Sequence, residues 1–205
     1  ALLQAAGPAQ PNLSRIGNLA RGPPHRGFAG PHGVERWPNA GKQTHTNGRI
    51  GVQHGEEGMS GLLRWLHQPD ADEIWLSSPL GSSIAVLVRD ENGVELVAGR
   101  GPPRRAATAE VLTREALGWD LPLSGLEYWI LGQPAPGSDP ARIERDPASG
   151  RLMHLVQDGW SIQYRRYLDT EWGPLPALIN LEYGSLQIRL AVDRCFVLSG
   201  TGVVV

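Results

Sequence analysis

Cysteine is nearly absent from this chain: its 205 residues hold one, Cys195. That excludes an internal disulfide and any metal site built on a cysteine cluster. Lysine is as scarce, with Lys42 alone, so arginine carries the positive charge; the formal net charge is −2. No basic stripe stands out, which argues against nucleic acid as a partner. No window approaches about 18 consecutive apolar residues, so no stretch reads as a membrane-spanning helix. ALLQAA at residues 1–6 ends like an apolar stretch, but no charged segment precedes it and a full signal peptide is missing.

Catalytic signatures are missing too. Gly58-Met59-Ser60-Gly61-Leu62 lacks the final glycine of a nucleophile elbow. Gly99-Arg100-Gly101 runs into Pro102-Pro103 and opens no phosphate-binding helix. The histidines, His25, His32, His45, His54, His67 and His154, are dispersed and form no H-x-x-x-H pair, so each reads as a solvated or core residue. Asp70, Asp72 and Glu73 cluster at a hairpin, where a solvated turn accounts for them. No acid–base pair emerges. The chain reads as a non-enzyme, with no cofactor and no metal.

What is there divides into three zones. Residues 1–46 are rich in Gly and Pro, with apolar residues scattered without period. Such a segment buries too little apolar surface to offset its ordering entropy, and a disordered segment is expected. From residue 47 to 196 the sequence alternates in short period-two runs separated by turn signals, which marks a folded domain. Residues 197–205 read as a tail or a last short strand.

Inside the domain, SIAVLVR and VELVA meet across Glu91-Asn92-Gly93. RLMHLVQ and WSIQYRRY flank Asp158-Gly159, while ALINLEY and LQIRLAV flank Gly184-Ser185. Asn-Gly and Asp-Gly tolerate positive φ, and connections this short permit only antiparallel pairing. Two helices interrupt the meander. ATAEVLTREALG starts at Thr108 and stops at Gly118. Ser124-Gly125-Leu126-Glu127 reads as a capping box, with Leu123 and Tyr128 as its hydrophobic staple and Gly132 as its end. The expected fold is mainly β (α+β), a curved antiparallel sheet with a pair of helices over one face.

Aromatic residues Trp65, Trp75, Trp119, Trp129, Trp160 and Trp172, with Tyr128, Tyr164 and Tyr167, fall on or beside these elements. Composition leaves two readings open: an ordinary packed core, or the lining of a cavity for acyl chains. Leu80 poses the same choice. It stands between the turn residues Pro79 and Gly81, at the tip of a loop, and single exposed leucines are common.

SSPLGSS, LPLSGLEYWILGQP, GWSIQYRRYL and LPALINLEYGSLQIRLAVD, in that order, resemble the LolB family of outer-membrane lipoprotein receptors. The resemblance runs from about Gly48 to Arg194. It implies an unclosed β-barrel with a helical lid over an apolar cavity. It implies a monomeric receptor on the periplasmic face of the outer membrane, which takes triacylated lipoproteins from a LolA-like carrier and passes them to the phospholipid. Leu80, flanked by Pro79 and Gly81, matches the family's membrane-delivery residue. Trp65, Trp129 and Trp160, with Ile74, Leu76, Leu126 and Ile130, match the cavity wall. Two readings stand beside it: a soluble periplasmic carrier of LolA type, and a structural β-domain that transports nothing. The family's acylated N-terminal cysteine has no counterpart in residues 1–46, so no lipid anchor is identified.

Overall fold

A computed structural model describes residues 43–170 and 173–198. Trp172 and all but the last four residues of the Gly/Pro-rich segment lie outside these residues. Eleven strands form one sheet: β1 (Gln43–His54), β2 (Glu57–Gln68), β3 (Ala71–Ser77), β4 (Ser83–Asp90), β5 (Gly93–Ala98), β6 (Arg104–Ala106), β7 (Arg142–Arg145), β8 (Leu152–Gln157), β9 (Trp160–Thr170), β10 (Gly173–Tyr183) and β11 (Leu186–Leu198). Helices α1 (Ala109–Leu117) and α2 (Leu123–Trp129) lie between β6 and β7 in the chain.

The sheet order is β6-β5-β4-β3-β2-β1-β11-β10-β9-β8-β7, and every neighbouring pair is antiparallel. Only the β1–β11 pairing joins distant parts of the chain; every other one is a hairpin or its equivalent. The end strands β6 and β7 each have a single neighbour, so the sheet curves without closing. The expected turns form. Asp158 (φ 52°) and Gly159 (φ 79°) both adopt positive φ between β8 and β9, as a tight hairpin of that twist requires.

Strand β1 begins at Gln43, paired to Leu198, inside the segment expected to end at residue 46; β11 runs to Leu198, into the residues read as a tail or a last short strand. Thr44 and Thr46 are buried although no alternating apolar residue marks them. Their burial comes from pairing with β11 on one side and β2 on the other, a long-range contact invisible to local pattern.

One face of the sheet carries the core. Leu63, Trp65, Ile74, Leu76, Leu87 and Leu96 alternate along β2 to β5, and Leu155, Ile162, Ile179, Leu181, Ile188 and Leu190 along β8 to β11. Register places Trp65 opposite Ile74, Ile74 opposite Leu87, and Leu87 opposite Leu96, so these side chains form a continuous row. Helix α1 ends as expected, with Gly118 in the left-handed region at φ 79°. Helix α2 does not start on a capping box. It begins at Leu123 after Pro122, so Ser124 is already helical; its hydroxyl points to Glu110 at 3.5 Å, and Glu127 turns to the sheet. Gly125 serves packing instead: a Cβ there would lie 2.4 Å from the Trp129 indole.

Candidate functional site

Two regions bear on function: the loop between β3 and β4, and the interior between the sheet and the helices. The loop is a braced turn. The Gly81 N–H donates to the Ser78 carbonyl at 2.8 Å, and the Ser78 N–H donates to the Ser82 carbonyl at 2.8 Å. The Ser82 N–H also donates to the Ser78 hydroxyl at 3.1 Å. Pro79 sets the entry to the turn, and Gly81 takes φ 86°, a value a side chain would strain. Leu80 is left at the apex with 95% of its surface exposed, far more than any other large apolar residue among those described. The turn spends its hydrogen bonds on holding an apolar side chain out in water.

The interior is closed. Trp65, Ile74, Leu76, Leu126, Trp129, Ile130 and Trp160 are all buried. Between the sheet and α1 lies a small void of about 10 Å³, room for about one water. Its wall is Ile74, Leu76, Ala85, Leu87 and Leu96 from the sheet, with Thr113, Leu117, Trp119 and Leu121 from α1 and the segment after it. Of the seven expected residues only Ile74 and Leu76 touch that void; the others pack elsewhere in the core. Trp129 and Trp160 meet at 6.1 Å, and Trp160 meets Tyr183 at 5.3 Å. Trp75 points away from the interior, under the Arg64 guanidinium, 4.8 Å above its ring.

Beside these residues lies a polar cluster that the sequence reading missed. Asp72 is not a solvated turn acid; it is fully buried on β3. It accepts from the Trp65 indole N–H at 2.8 Å, pairs with His67 Nδ1 at 2.8 Å, and accepts from Arg89 Nε at 2.5 Å. Burial alone would raise the Asp72 carboxyl. The bonds from His67 and Trp65, with the charges of His67 and Arg89, outweigh it and hold the carboxyl below the ordinary 3.8. Glu127 of α2 closes the cluster, 3.7 Å from His67 and 3.6 Å from Arg89. Burial pushes its carboxyl up, since the nearby cations are offset by Asp72. His67, Asp72 and Glu127 present three possible metal ligands within 4.8 Å of one another. The Arg89 guanidinium already supplies the positive charge there, which leaves a cation little reason to enter.

Gln157, at the end of β8, is the matching polar residue on the other half. Its carbonyl accepts from the Trp129 indole at 3.0 Å and from the Ala135 N–H at 2.8 Å. Its amide donates to the Ala135 carbonyl at 2.7 Å and the Ser138 carbonyl at 2.9 Å. Tyr164 of β9 donates to the Trp129 carbonyl at 3.1 Å. Period two carried the signal for both residues: Asp72 shares a face with Ile74 and Leu76, and Gln157 with Leu155.

The sequence also has known relatives. The sequence model of the family described as outer membrane lipoprotein LolB matches residues 42–194. The outer-membrane lipoprotein LolB of Thiobacillus denitrificans is 42% identical over 147 residues, which is 71% of this chain and 76% of its own. That of Nitrosomonas europaea is 37% identical over 150 residues, 72% of this chain and 69% of its own. Among solved structures, the LolA superfamily protein NE2245 from Nitrosomonas europaea matches with a TM-score of 0.48 at 10% identity, covering 80% of this chain and 89% of that one. On the sequence match, which spans nearly all of the described sheet, this chain belongs to the LolB family.

Proposed function

We propose that this protein accepts triacylated lipoproteins from a LolA-like periplasmic carrier and places them in the outer membrane, acting as a monomer on the periplasmic face of that membrane. Family membership supports the reading, and one observation carries it: the braced Pro79-Leu80-Gly81 turn holds Leu80 in water at 95% exposure. Burying a leucine is worth about 1.5–3 kcal/mol, so a turn that keeps one outside has a use for it at an apolar surface. Phospholipid is that surface, and Leu80 is the wedge that touches it as acyl chains leave.

The interior supplies the other half. Each buried methylene is worth about 0.8 kcal/mol, so an acyl chain gains more than enough by leaving water for the Trp65–Ile74–Leu76 side of the core or the Leu126–Trp129–Ile130–Trp160 side. Sites for ligands of that size run to about 300 Å³ or more, so the closed interior must open to take one. The cost of opening lowers affinity and makes release to a bilayer easier, with no nucleotide or cofactor needed. A tenfold preference at each step needs only about 1.4 kcal/mol.

The test mixes lipoprotein-loaded carrier with this protein or its Leu80→Glu variant, then adds vesicles of outer-membrane phospholipid. Both should take the lipoprotein, and only the wild type should pass it to the vesicles. Stability should differ by no more than about 0.5 kcal/mol, since Leu80 contacts no core. Delivery by the variant at the wild-type rate would remove the wedge. Refusal of the lipoprotein by both would leave a structural β-domain.

A further inference from the structure

The face of the sheet turned away from the core carries an open groove of about 370 Å³ where β11, β1 and β2 run side by side. Val52, Ile188 and Leu190 are buried in the core, and strand alternation puts Gly51, Gln53, Gln187 and Arg189 on the opposite face. Register sets Gly51 between Arg189 of β11 and Ser60 of β2, and Gln53 between Gln187 and Gly58. Gly51 is the floor: a Cβ built there meets nothing within 4 Å. Gln53 is a fixed wall, its Nε2 donating to the Gly55 carbonyl at 2.8 Å.

Arg189 lines this groove and has no hydrogen bond or ion pair to any described residue. Its neighbour Arg49, two residues along β1 from Gly51, is by contrast paired with Asp193 at 3.0 Å. No acid lines the groove. Glu182 of β10 stands opposite Gln187, and Asn180 is the β10 residue opposite Arg189. The Asn180 side-chain oxygen is buried without a donor, so the guanidinium is not turned to that side either. The groove thus holds one uncompensated guanidinium, the Ser60 hydroxyl and the Gln187 amide, a donor set that suits a phosphate.

The same corner of the sheet is also apolar. Leu62 shares the Ser60 face of β2, is exposed, and pairs with Ser77, the residue from which the Leu80 loop leaves β3. A free anion would use the groove and leave Leu62 and Leu80 in water, whereas an amphiphile uses all three. We propose that the groove is a headgroup subsite, in which Arg189, with Ser60 and Gln187, takes the phosphodiester of an anionic phospholipid in the bilayer that Leu80 enters. This rests on the receptor reading and adds the lipid class that its docking surface recognises. Two attachment points, one polar and one apolar, fix the orientation in which the domain meets the membrane.

The experiment measures co-flotation of the wild type, Arg189→Gln, Gly51→Val and Leu80→Glu with vesicles of phosphatidylcholine, alone or mixed with phosphatidylglycerol. Gly51→Val fills the groove without a clash and keeps every charge. The wild type should bind the anionic vesicles about fivefold more tightly than the neutral ones, the effect of one basic residue at such a surface. Arg189→Gln and Gly51→Val should each lose that preference, while Leu80→Glu should weaken binding to both kinds. Equal binding of the two vesicles by the wild type, which needs no variant to fold, overturns the groove and leaves the Leu80 wedge standing. A preference that survives in Gly51→Val belongs to general surface charge and also overturns it. Displacement by millimolar inorganic phosphate, beyond that by chloride at the same ionic strength, makes the groove a free-anion site and overturns the lipid. Undiminished binding of both vesicles by Leu80→Glu overturns the wedge instead.

Discussion

Helices α1 and α2 cover the same sheet but are held to it by different forces. Helix α2 is bonded to both halves. Glu127 sits against His67 and Arg89 from β2 and β4, while Trp129 is bonded to Gln157 of β8 and Tyr164 of β9. It thereby bridges the two halves of the sheet by directional bonds. Helix α1 rests on β5 and β6, with Ala109 and Leu112 buried; its arginine bonds Asp120, just past its own end, at 2.7 Å, and its polar tie to the sheet is at that same end, where the His54 ring meets the Gly118 carbonyl at 3.1 Å. Directional bonds hold one geometry; apolar contact holds a helix down but lets it slide or lift at graded cost. A transport domain has use for both, a rigid frame and a movable cover.

Removing the buried acid under α2 should have the largest effect. Asp72→Ala leaves the buried Trp65 indole N–H without its acceptor and takes the carboxylate partner from His67 and the half-buried Arg89, and a loss of about 1–3 kcal/mol is expected in denaturant titration. Because the native Asp72 carboxyl lies below 3.8, its contribution is complete above that pH and fades as pH falls through its lower native value. The gap between wild type and variant should therefore narrow in acid. A gap that stayed constant, or a loss under 1 kcal/mol, would show that α2 is not fixed through this cluster.

Glu127→Gln should move stability by about 1 kcal/mol or less, since Arg89 and Glu127 both reach solvent. The sign is opposite to that of Asp72. Burial raises the Glu127 carboxyl above 4.5, so its contribution is present below 4.5 and fades as pH rises through the raised native value. Glutamine keeps the neutral form at every pH. Stability curves should then separate in the variant's favour between pH 4.5 and neutrality; separation in the wild type's favour would make the Glu127 ion pairs the true fastening of α2.

Much of the fold was legible because its information is local. The Asp158-Gly159 and Gly184-Ser185 turns, the Gly118 stop and the Pro79-Gly81 punctuation each depend on a few neighbouring residues. Residues set by distant pairing were not legible. Thr44 and Thr46 are strand residues only because β11 returns beside them. Ser124 and Glu127 match a capping box in spacing, but Pro122 moves the helix start and the sheet offers Glu127 cationic partners the local sequence cannot contain. Trp65, Leu126, Trp129, Ile130 and Trp160, expected as a cavity wall, are buried, while the small void lies against Ala85, Thr113 and Trp119, brought together from β4, α1 and the segment after it by contacts that local sequence does not contain.

Hydrogen exchange with and without an acylated lipoprotein tests the division between the helices most directly. In the free protein the amides of Ala109–Leu117 should exchange faster than those of Leu126 and Ile130, which donate to Pro122 and Leu126 carbonyls in α2. Loading should change protection in α1 and at Trp119 while α2 stays as it was. Equal protection in the free state, or a response confined to α2, would contradict a fixed frame with a movable cover.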